Sequence, residues 1–222
     1  IEVPEPGDLE VGPDGAVYLI SRGRVLRLTE KGPRTVIPAE SKAKCLAVGA
    51  DGMLYVGRGA PDHRVTVHDR SGDLVRAIGK EGGRALTGPW ERDGMRFIDA
   101  LAVDKSGILW VAEKDDRPKR FSCWNARTGE FVREFFGPTN YGAQGGAISP
   151  EEPLTMVGSG CEWRIDEETG RAGVVGVFHR GGMSSTRFGY GPDRRLYVAT
   201  SASFIRRAPV HIYERLGPGD YR

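Results

Sequence analysis

The chain has 222 residues, a formal net charge of +2, 39% hydrophobic and 28% charged residues, and no long apolar run. This composition excludes a disordered chain and a membrane-spanning helix, and the interspersed charges lack the one-signed block typical of nucleic-acid-binding proteins. The 32 glycines and 14 prolines are too many for a helical protein and predict a chain that turns every few residues.

Both ends of the chain predict that it is a segment of a larger protein. The start at Ile1 has no initiator methionine, basic region or apolar signal core, so either a signal was removed or the chain was cut from a longer one, and residues 217–222 stop inside what resembles a repeat. We therefore expect further blades or flanking domains outside these residues.

The three cysteines, Cys45, Cys123 and Cys161, are far apart, and each lies in an apolar, strand-like run. No CxxC spacing is present, which disfavours a structural zinc site, and an odd number excludes a fully paired intrachain framework. We predict buried free thiols.

One pattern recurs along the chain: an apolar strand, a turn rich in Asp and Gly, and a second apolar strand. Its copies are LEVGPDGAVYLI at 9–20, LAVGADGMLYV at 46–56, LAVDKSGILWVA at 101–112, a degenerate AISPEEPLTMV at 147–157, and FGYGPDRRLYVA at 188–199. Asp and Gly fit these turns because hairpins require positive φ or a side-chain bond to the backbone.

A second hairpin follows most copies, at 64–79, 120–137 and 162–178. Four antiparallel strands in roughly 40–45 residues are the signature of a β-propeller blade. The first strands are small and apolar on both faces, as expected next to a propeller axis. A β-sandwich of short strands is the alternative, but it would not require an even repeat.

The motifs LAVDKSGILWVAE at 101–113, VTVHDRSG at 65–72 and LVRAIG at 74–79 resemble the NHL repeat. The two central blades also resemble propeller segments of large secreted or envelope proteins of bacteria. The resemblance implies one all-β propeller domain over 1–222, with about five blades of a ring of six or more, and an extracellular or periplasmic location. The predicted blades are 8–38, 44–80, 98–137, 145–182 and 186–222.

In NHL propellers, ligands bind over the axis, on the face that carries the inter-blade connections and the loops between second and third strands. Three of these loops are long here: 80–99, 113–119 and 200–209. Long loops on a rigid scaffold commonly carry function. The candidate binding residues are Trp90, Arg92, Asp93, Asp115, Asp116, Arg117, Tyr141 and Arg206.

A metal site is the main catalytic possibility. Asp8 and Asp99 each stand just before a first strand, and Glu113 lies at the mouth of a second strand. Oxygen ligands from different blades suit Ca²⁺. Propeller lactonases hold a divalent cation in this way but also use Asn ligands, which are missing at these positions. The alternative is that the carboxylates bind backbone N–H groups or pair with nearby arginines.

The four histidines give weaker evidence for a catalytic or metal site than the carboxylates do. His63 and His179 fall near the loop face, whereas His68 and His211 lie in third strands, where a structural role is expected. NHL proteins that cleave amidated peptide precursors bind zinc through several His residues, a set that this chain lacks. A lyase would need a base such as His179 or Tyr141 and an arginine for the substrate carboxylate.

The sequence therefore predicts a non-catalytic recognition or scaffold module that binds a protein or glycan through its long-loop face. The alternative is a metal-assisted, lactonase-like hydrolase or a polysaccharide or peptide lyase with its site over the axis. RNA binding, known for some NHL domains, would require a one-sided basic face.

Overall fold

The computed structural model describes residues 3–115, 118–137, 146–152, 154–179, 185–201 and 210–222. Over these residues its regular structure consists of β-strands and one 3₁₀ turn. Three of the described sheets have four antiparallel strands, which confirms the predicted all-β class and, for these three sheets, the predicted strand number. No helix in this described part is long and apolar enough to span a membrane.

Residue contacts divide the chain into two compact units. The first comprises Ile1–Arg84, Arg92–Asp115 and Arg120–Phe135, and the second comprises Ala85–Glu91, Asp116–Lys119 and Phe136–Arg222. The predicted single domain over 1–222 stays a prediction.

The first unit contains three consecutive four-stranded sheets. Their strands are β1 (Pro6–Val11), β2 (Val17–Ser21), β3 (Arg24–Thr29) and β4 (Gly32–Ile37); β5 (Ala43–Val48), β6 (Leu54–Arg58), β7 (Val65–His68) and β8 (Leu74–Ile78); and β10 (Ile98–Val103), β11 (Ile108–Glu113), β12 (Arg120–Asn125) and β13 (Phe131–Phe136). The 3₁₀ turn Ala39–Ser41 joins the first two sheets.

The core of this unit lies between neighbouring sheets. Tyr18 and Ile20 of the first sheet pack with Leu54 and Val56 of the second. On its other face, the second sheet packs against Leu109, Val111 and Trp124 of the third. These sheets therefore stack face to face, because the second sheet has apolar side chains on both faces and each face is buried against a neighbouring sheet.

In the second unit, β14 (Gly146–Ile148), β15 (Thr155–Gly158), β16 (Cys161–Asp166) and β17 (Arg171–Val177) form one sheet. The short strand β9 (Gly88–Pro89) adds to β17 as its fifth member. Residues 80–99, predicted as a loop, therefore contain a strand. A further sheet has the described strands β18 (Ser185–Tyr190), β19 (Leu196–Ser201) and β20 (Val210–Tyr213), and β21 (Arg215–Gly217) pairs separately with β22 (Asp220–Tyr221).

The sequence repeat is visible in the strand register. In four of the five described repeats, an aromatic residue of the second strand lies opposite the same position of the first strand: Tyr18 opposite Glu10, Tyr55 opposite Ala47, Trp110 opposite Ala102, and Tyr197 opposite Gly189. The repeated turns also agree, because Asp14, Asp51 and Asp193 each accept a hydrogen bond from the backbone N–H two residues later.

All three cysteines are free and buried, as the sequence predicts. Burial, with the charges of Asp8 and Asp99 as smaller causes, raises the pKa of the Cys45 thiol to about 12. This thiol is therefore protonated at neutral pH, and it packs in the core between the second and third sheets.

Candidate functional site

The candidate site residues fall into three groups in the structure. Arg92, Asp93, Asp115 and Glu113 meet around one loop of the first unit, Asp8 and Asp99 lie on first strands of that unit, and Trp90 belongs to the second unit. Four candidates lie outside the described residues: Asp116, Arg117, Tyr141 and Arg206.

Glu113 lies at the centre of a buried cluster of charges. It is the last residue of β11 and stands directly opposite Arg120, the first residue of β12. Its side chain is fully buried, and its Oε1 accepts a hydrogen bond from Arg120 Nη1 at 2.9 Å. Its Oε2 accepts hydrogen bonds from Arg84 Nη1 and, at 2.8 Å, from the Arg96 backbone N–H.

Two further carboxylates complete this cluster. Asp115 Oδ2 lies 3.3 Å from Arg84 Nη2 and 3.9 Å from Arg96 Nε. Glu134 of β13 lies 2.8 Å from Arg120 Nε. Three arginines thus face three carboxylates, and this balance is what allows so many charges to be buried, since an unpaired buried charge is strongly destabilising.

The cluster holds the loop that precedes β10. Arg120 Nη1 and Arg84 Nη1 both donate to the Gly94 carbonyl, at 2.9 and 3.2 Å, and Arg120 Nη2 donates to the Arg92 carbonyl. The Lys80 N–H donates to the Asp93 carbonyl at 2.7 Å. These hydrogen bonds from the interior hold the backbone of residues 92–94 in place, while the Arg92 and Asp93 side chains are exposed.

Asp8 and Asp99 occupy neighbouring rather than equivalent positions of the repeat, because the strand registers equate Asp8 with Ala100. Each lies at a β-bulge near the start of a first strand, between Pro6 and Leu9 in β1 and between Ile98 and Ala100 in β10. Bulges re-aim side chains and are common beside functional sites. The strand β5 contacts both β1 and β10, so the two bulges flank one shared strand.

The two carboxylates differ in their partners. Asp8 Oδ2 accepts a hydrogen bond from the Leu46 N–H of β5 at 2.8 Å, and its Oδ1 accepts one from Leu9. Asp99 is largely exposed, with Lys114 Nζ at 3.7 Å. Glu113, the third predicted ligand, is instead buried in the arginine cluster. Within the described ranges, no three His, Cys, Asp or Glu side chains are grouped to hold a metal ion, and the calcium site stays a prediction.

Trp90, predicted to be free to stack on a ligand, is half-buried against aromatic residues of the second unit. Its ring meets Phe136 edge-on at 5.6 Å, and Phe136 meets Trp163 at 5.9 Å. Its backbone N–H donates to the Val175 carbonyl at 2.7 Å, next to the pairing of β9 with β17. This ring therefore contributes to packing.

Two histidines of the first unit are also engaged. His68 Nδ1 lies 3.0 Å from the Gly72 carbonyl and must donate to it, so Nε2 accepts from the Thr66 hydroxyl. His63 is buried and meets the Phe97 ring edge-on at 5.3 Å. Both contacts fit the packed interior of the unit.

The second unit has its own buried carboxylate, which the sequence reasoning did not single out. Glu162 of β16 is fully buried and receives a two-pronged contact from Arg215, at 2.8 Å from Nη2 and 3.1 Å from Nε. The Gly219 N–H also donates to it, at 3.2 Å. The hairpin of β21 and β22 is thereby fastened to β16, and the charged residue between apolar neighbours in Cys161–Trp163 was the signal that could have indicated this pairing.

The histidines of the second unit lie together. His179 Nδ1 lies 2.9 Å from the Tyr213 hydroxyl, and the His179 and His211 ring centroids are 5.2 Å apart. His179 is buried, whereas His211 is exposed. His179, one of the two candidate bases for a lyase, is thus buried beside a tyrosine hydroxyl, and Tyr141, the other, lies outside the described residues.

No family model matches this sequence, and no curated protein matches it either.

Proposed function

We propose that the chain is an NHL-type β-propeller segment of a larger secreted or envelope protein, and that it acts as a recognition module. Two observations support the propeller: the period of the strand-turn-strand motif, and the face-to-face stacking of successive four-stranded sheets. First strands that contact one another, as β5 does with β1 and β10, also fit strands that line an axis.

The fixed loop at 92–94 carries the recognition proposal. Its carbonyls are bound by Arg84, Arg120 and Lys80, so its backbone is ordered before any ligand arrives. A preorganised loop loses little conformational entropy on binding, which favours affinity. Within this loop, the exposed side chains of Arg92 and Asp93 present one positive and one negative charge to a protein or glycan ligand.

The experiment compares the wild-type chain with an Arg92→Ala/Asp93→Ala variant in binding to glycan arrays and to secreted and periplasmic protein fractions. The control is Arg70→Ala/Asp73→Ala, which removes an exposed pair of the same charges from the turn between β7 and β8. We expect a ligand that the wild type and the control retain and the loop variant loses. Equal retention by all three chains, or no retained ligand, contradicts the proposal.

A second candidate is a divalent cation bound between the bulges of β1 and β10, as a metal-assisted hydrolase would need. One observation favours it: β5 contacts both β1 and β10, and its Leu46 N–H binds Asp8, so the bulges that carry Asp8 and Asp99 flank the same strand. Oxygen ligands of this kind prefer Ca²⁺.

Calorimetric titration with Ca²⁺ tests this candidate. Stoichiometric binding that Asp99→Asn abolishes and Asp73→Asn preserves supports it. Absence of heat, or equal binding by the Asp99→Asn variant, removes the hydrolase from consideration and leaves recognition.

A further inference from the structure

A cavity of about 350 Å³ opens between three loops of the first unit. The loops are the 3₁₀ turn with the residue that follows it, the loop between β6 and β7, and the start of the connection after β8. The volume falls within the usual range of small-ligand cavities. The charged residues that line it are Glu40, Lys42, Arg58, Asp62 and Glu81.

The walls of this cavity are braced by ion pairs. Asp62 lies between two arginines, with Arg58 Nε at 3.0 Å from Oδ2 and Arg64 Nε at 2.9 Å from Oδ1. Arg64 Nη1 also lies 3.2 Å from Glu81 Oε2, and Arg58 Nη2 donates to the Glu40 carbonyl at 3.3 Å. The three loops are therefore tied to one another, and Arg58, Asp62 and Arg64 are held in place by their ion pairs.

The charged side chains that line the cavity indicate which kind of ligand it can bind. Arg58 and Arg64 are balanced by Asp62 and Glu81, to which they are paired. The remaining lining charges are one cation, Lys42, and one anion, Glu40, which lie two residues apart at the end of the 3₁₀ turn. A simple anion would meet three carboxylates in this cavity, and a simple cation would meet Lys42 and Arg58. A ligand that carries both charges matches the lining.

We propose that this cavity binds a small zwitterion with an ammonium and a carboxylate group, of the α-amino acid or short peptide class. Lys42 receives the carboxylate, and Glu40 receives the ammonium group. The site is separate from the loop surface at Arg92 and Asp93, and it does not depend on protein or glycan binding there.

The experiment titrates the common L-amino acids and glycylglycine into the chain, by calorimetry and by NMR chemical shifts. We expect at least one to bind with a dissociation constant of about 1 mM or tighter. Its N-acetyl and amide derivatives, which keep only one charge, should bind about tenfold more weakly or worse. Preference for glycylglycine over every free amino acid identifies a peptide ligand, and the reverse preference identifies a free amino acid.

Variants assign the contacts. Lys42→Gln and Glu40→Gln should each weaken binding about tenfold. Lys31→Gln and Glu30→Gln, at an exposed hairpin turn of the same unit, are matched controls that should leave it unchanged. The proposal is overturned if no zwitterion binds, if a singly charged derivative binds as well as its parent, or if the controls lose as much affinity as the cavity variants. Arg92 and Asp93 are intact in all four variants. Such a result therefore does not affect the proposed recognition role of the 92–94 loop, which the Arg92→Ala/Asp93→Ala variant tests.

Discussion

Both units bury a glutamate completely, but they neutralise it in different ways. In the first unit, Glu113 is shared by Arg84 and Arg120, and both arginines also contact another carboxylate or backbone carbonyl. In the second unit, the arginine that binds Glu162 among the described residues is Arg215, which reaches it from a two-stranded hairpin.

The difference shows what each ion pair stabilises. The Glu113 cluster connects β11, β12 and β13 with the loop that precedes β10, so its loss affects a sheet and a loop together. The Glu162 pair connects one hairpin to one strand. We therefore expect that breaking the first contact lowers the stability of the whole unit, whereas breaking the second releases a local segment.

The largest expected effect is that of Glu113→Gln. The substitution keeps the shape of the side chain but leaves the buried Arg84 and Arg120 and the partly buried Arg96 facing two carboxylates. Removing one partner from a buried network costs about 3–5 kcal/mol. Urea unfolding followed by circular dichroism measures the change, and Glu30→Gln at an exposed turn is the control. A loss below about 1 kcal/mol would mean that water or a rearranged arginine compensates the charge.

Arg215→Met should have a smaller and more local effect, about 2–3 kcal/mol, because Arg215 is partly exposed and only one hairpin depends on it. Hydrogen exchange should accelerate at 215–221 and remain unchanged in the first unit. The control, Arg222→Met, removes an exposed pair with Glu214 at 3.5 Å and should change stability by less than about 0.5 kcal/mol. Uniformly faster exchange over both units would contradict the local role.

The histidines of the first unit add a pH dependence. Burial lowers the pKa of His63, and the nearby Arg96 and Arg84 lower it further against the opposing charge of Asp115. Burial is also the main cause that lowers the pKa of His68. With a folded-state pKa below the unfolded value, the unfolded chain binds more protons. The stabilisation is therefore complete above about pH 6.5 and is lost as the pH falls through the folded pKa values.

Urea unfolding between about pH 7.5 and pH 5.5 tests this dependence. We expect the unfolding free energy of the wild type to decrease over this interval and that of His63→Gln/His68→Gln to decrease less. Equal slopes in the two proteins would show that other groups control acid stability.

The sequence predicts the strands and turns of the two units better than it predicts their buried ion pairs. The strands and turns follow from local signals, because an Asp and a positive-φ Gly at fixed spacing specify a hairpin. The contact between Glu113 and Arg120 follows from the hairpin register, and arginine pairing is the alternative to metal binding that the sequence predicts for this carboxylate. Arg84 and Arg215 lie 29 and 53 residues from their glutamates. Their contacts depend on how separate segments pack, which no local pattern contains.

The smallest expected effect concerns a repeated turn that has arginine in place of glycine. The first unit has Gly15 and Gly52 at φ 77° and 80°, whereas the second has Arg194 at φ 61° in the equivalent position. A side chain in this left-handed region is strained, so Arg194→Gly should stabilise the protein by about 0.5–1 kcal/mol. Its exposed pair with Glu151, at 3.7 Å, contributes little in return.

The matched control is Arg195→Gly, the same substitution one residue later, where φ is not positive. There glycine only adds freedom to the unfolded chain and should destabilise by about 0.5–1 kcal/mol. Opposite signs for the two variants in thermal melts would show that the turn of the second unit has the geometry of the first but not its preferred residue. If both variants are less stable than the wild type, the Arg194 side chain contributes more to stability than its backbone strain costs. The turns of the two units would then not be equivalent.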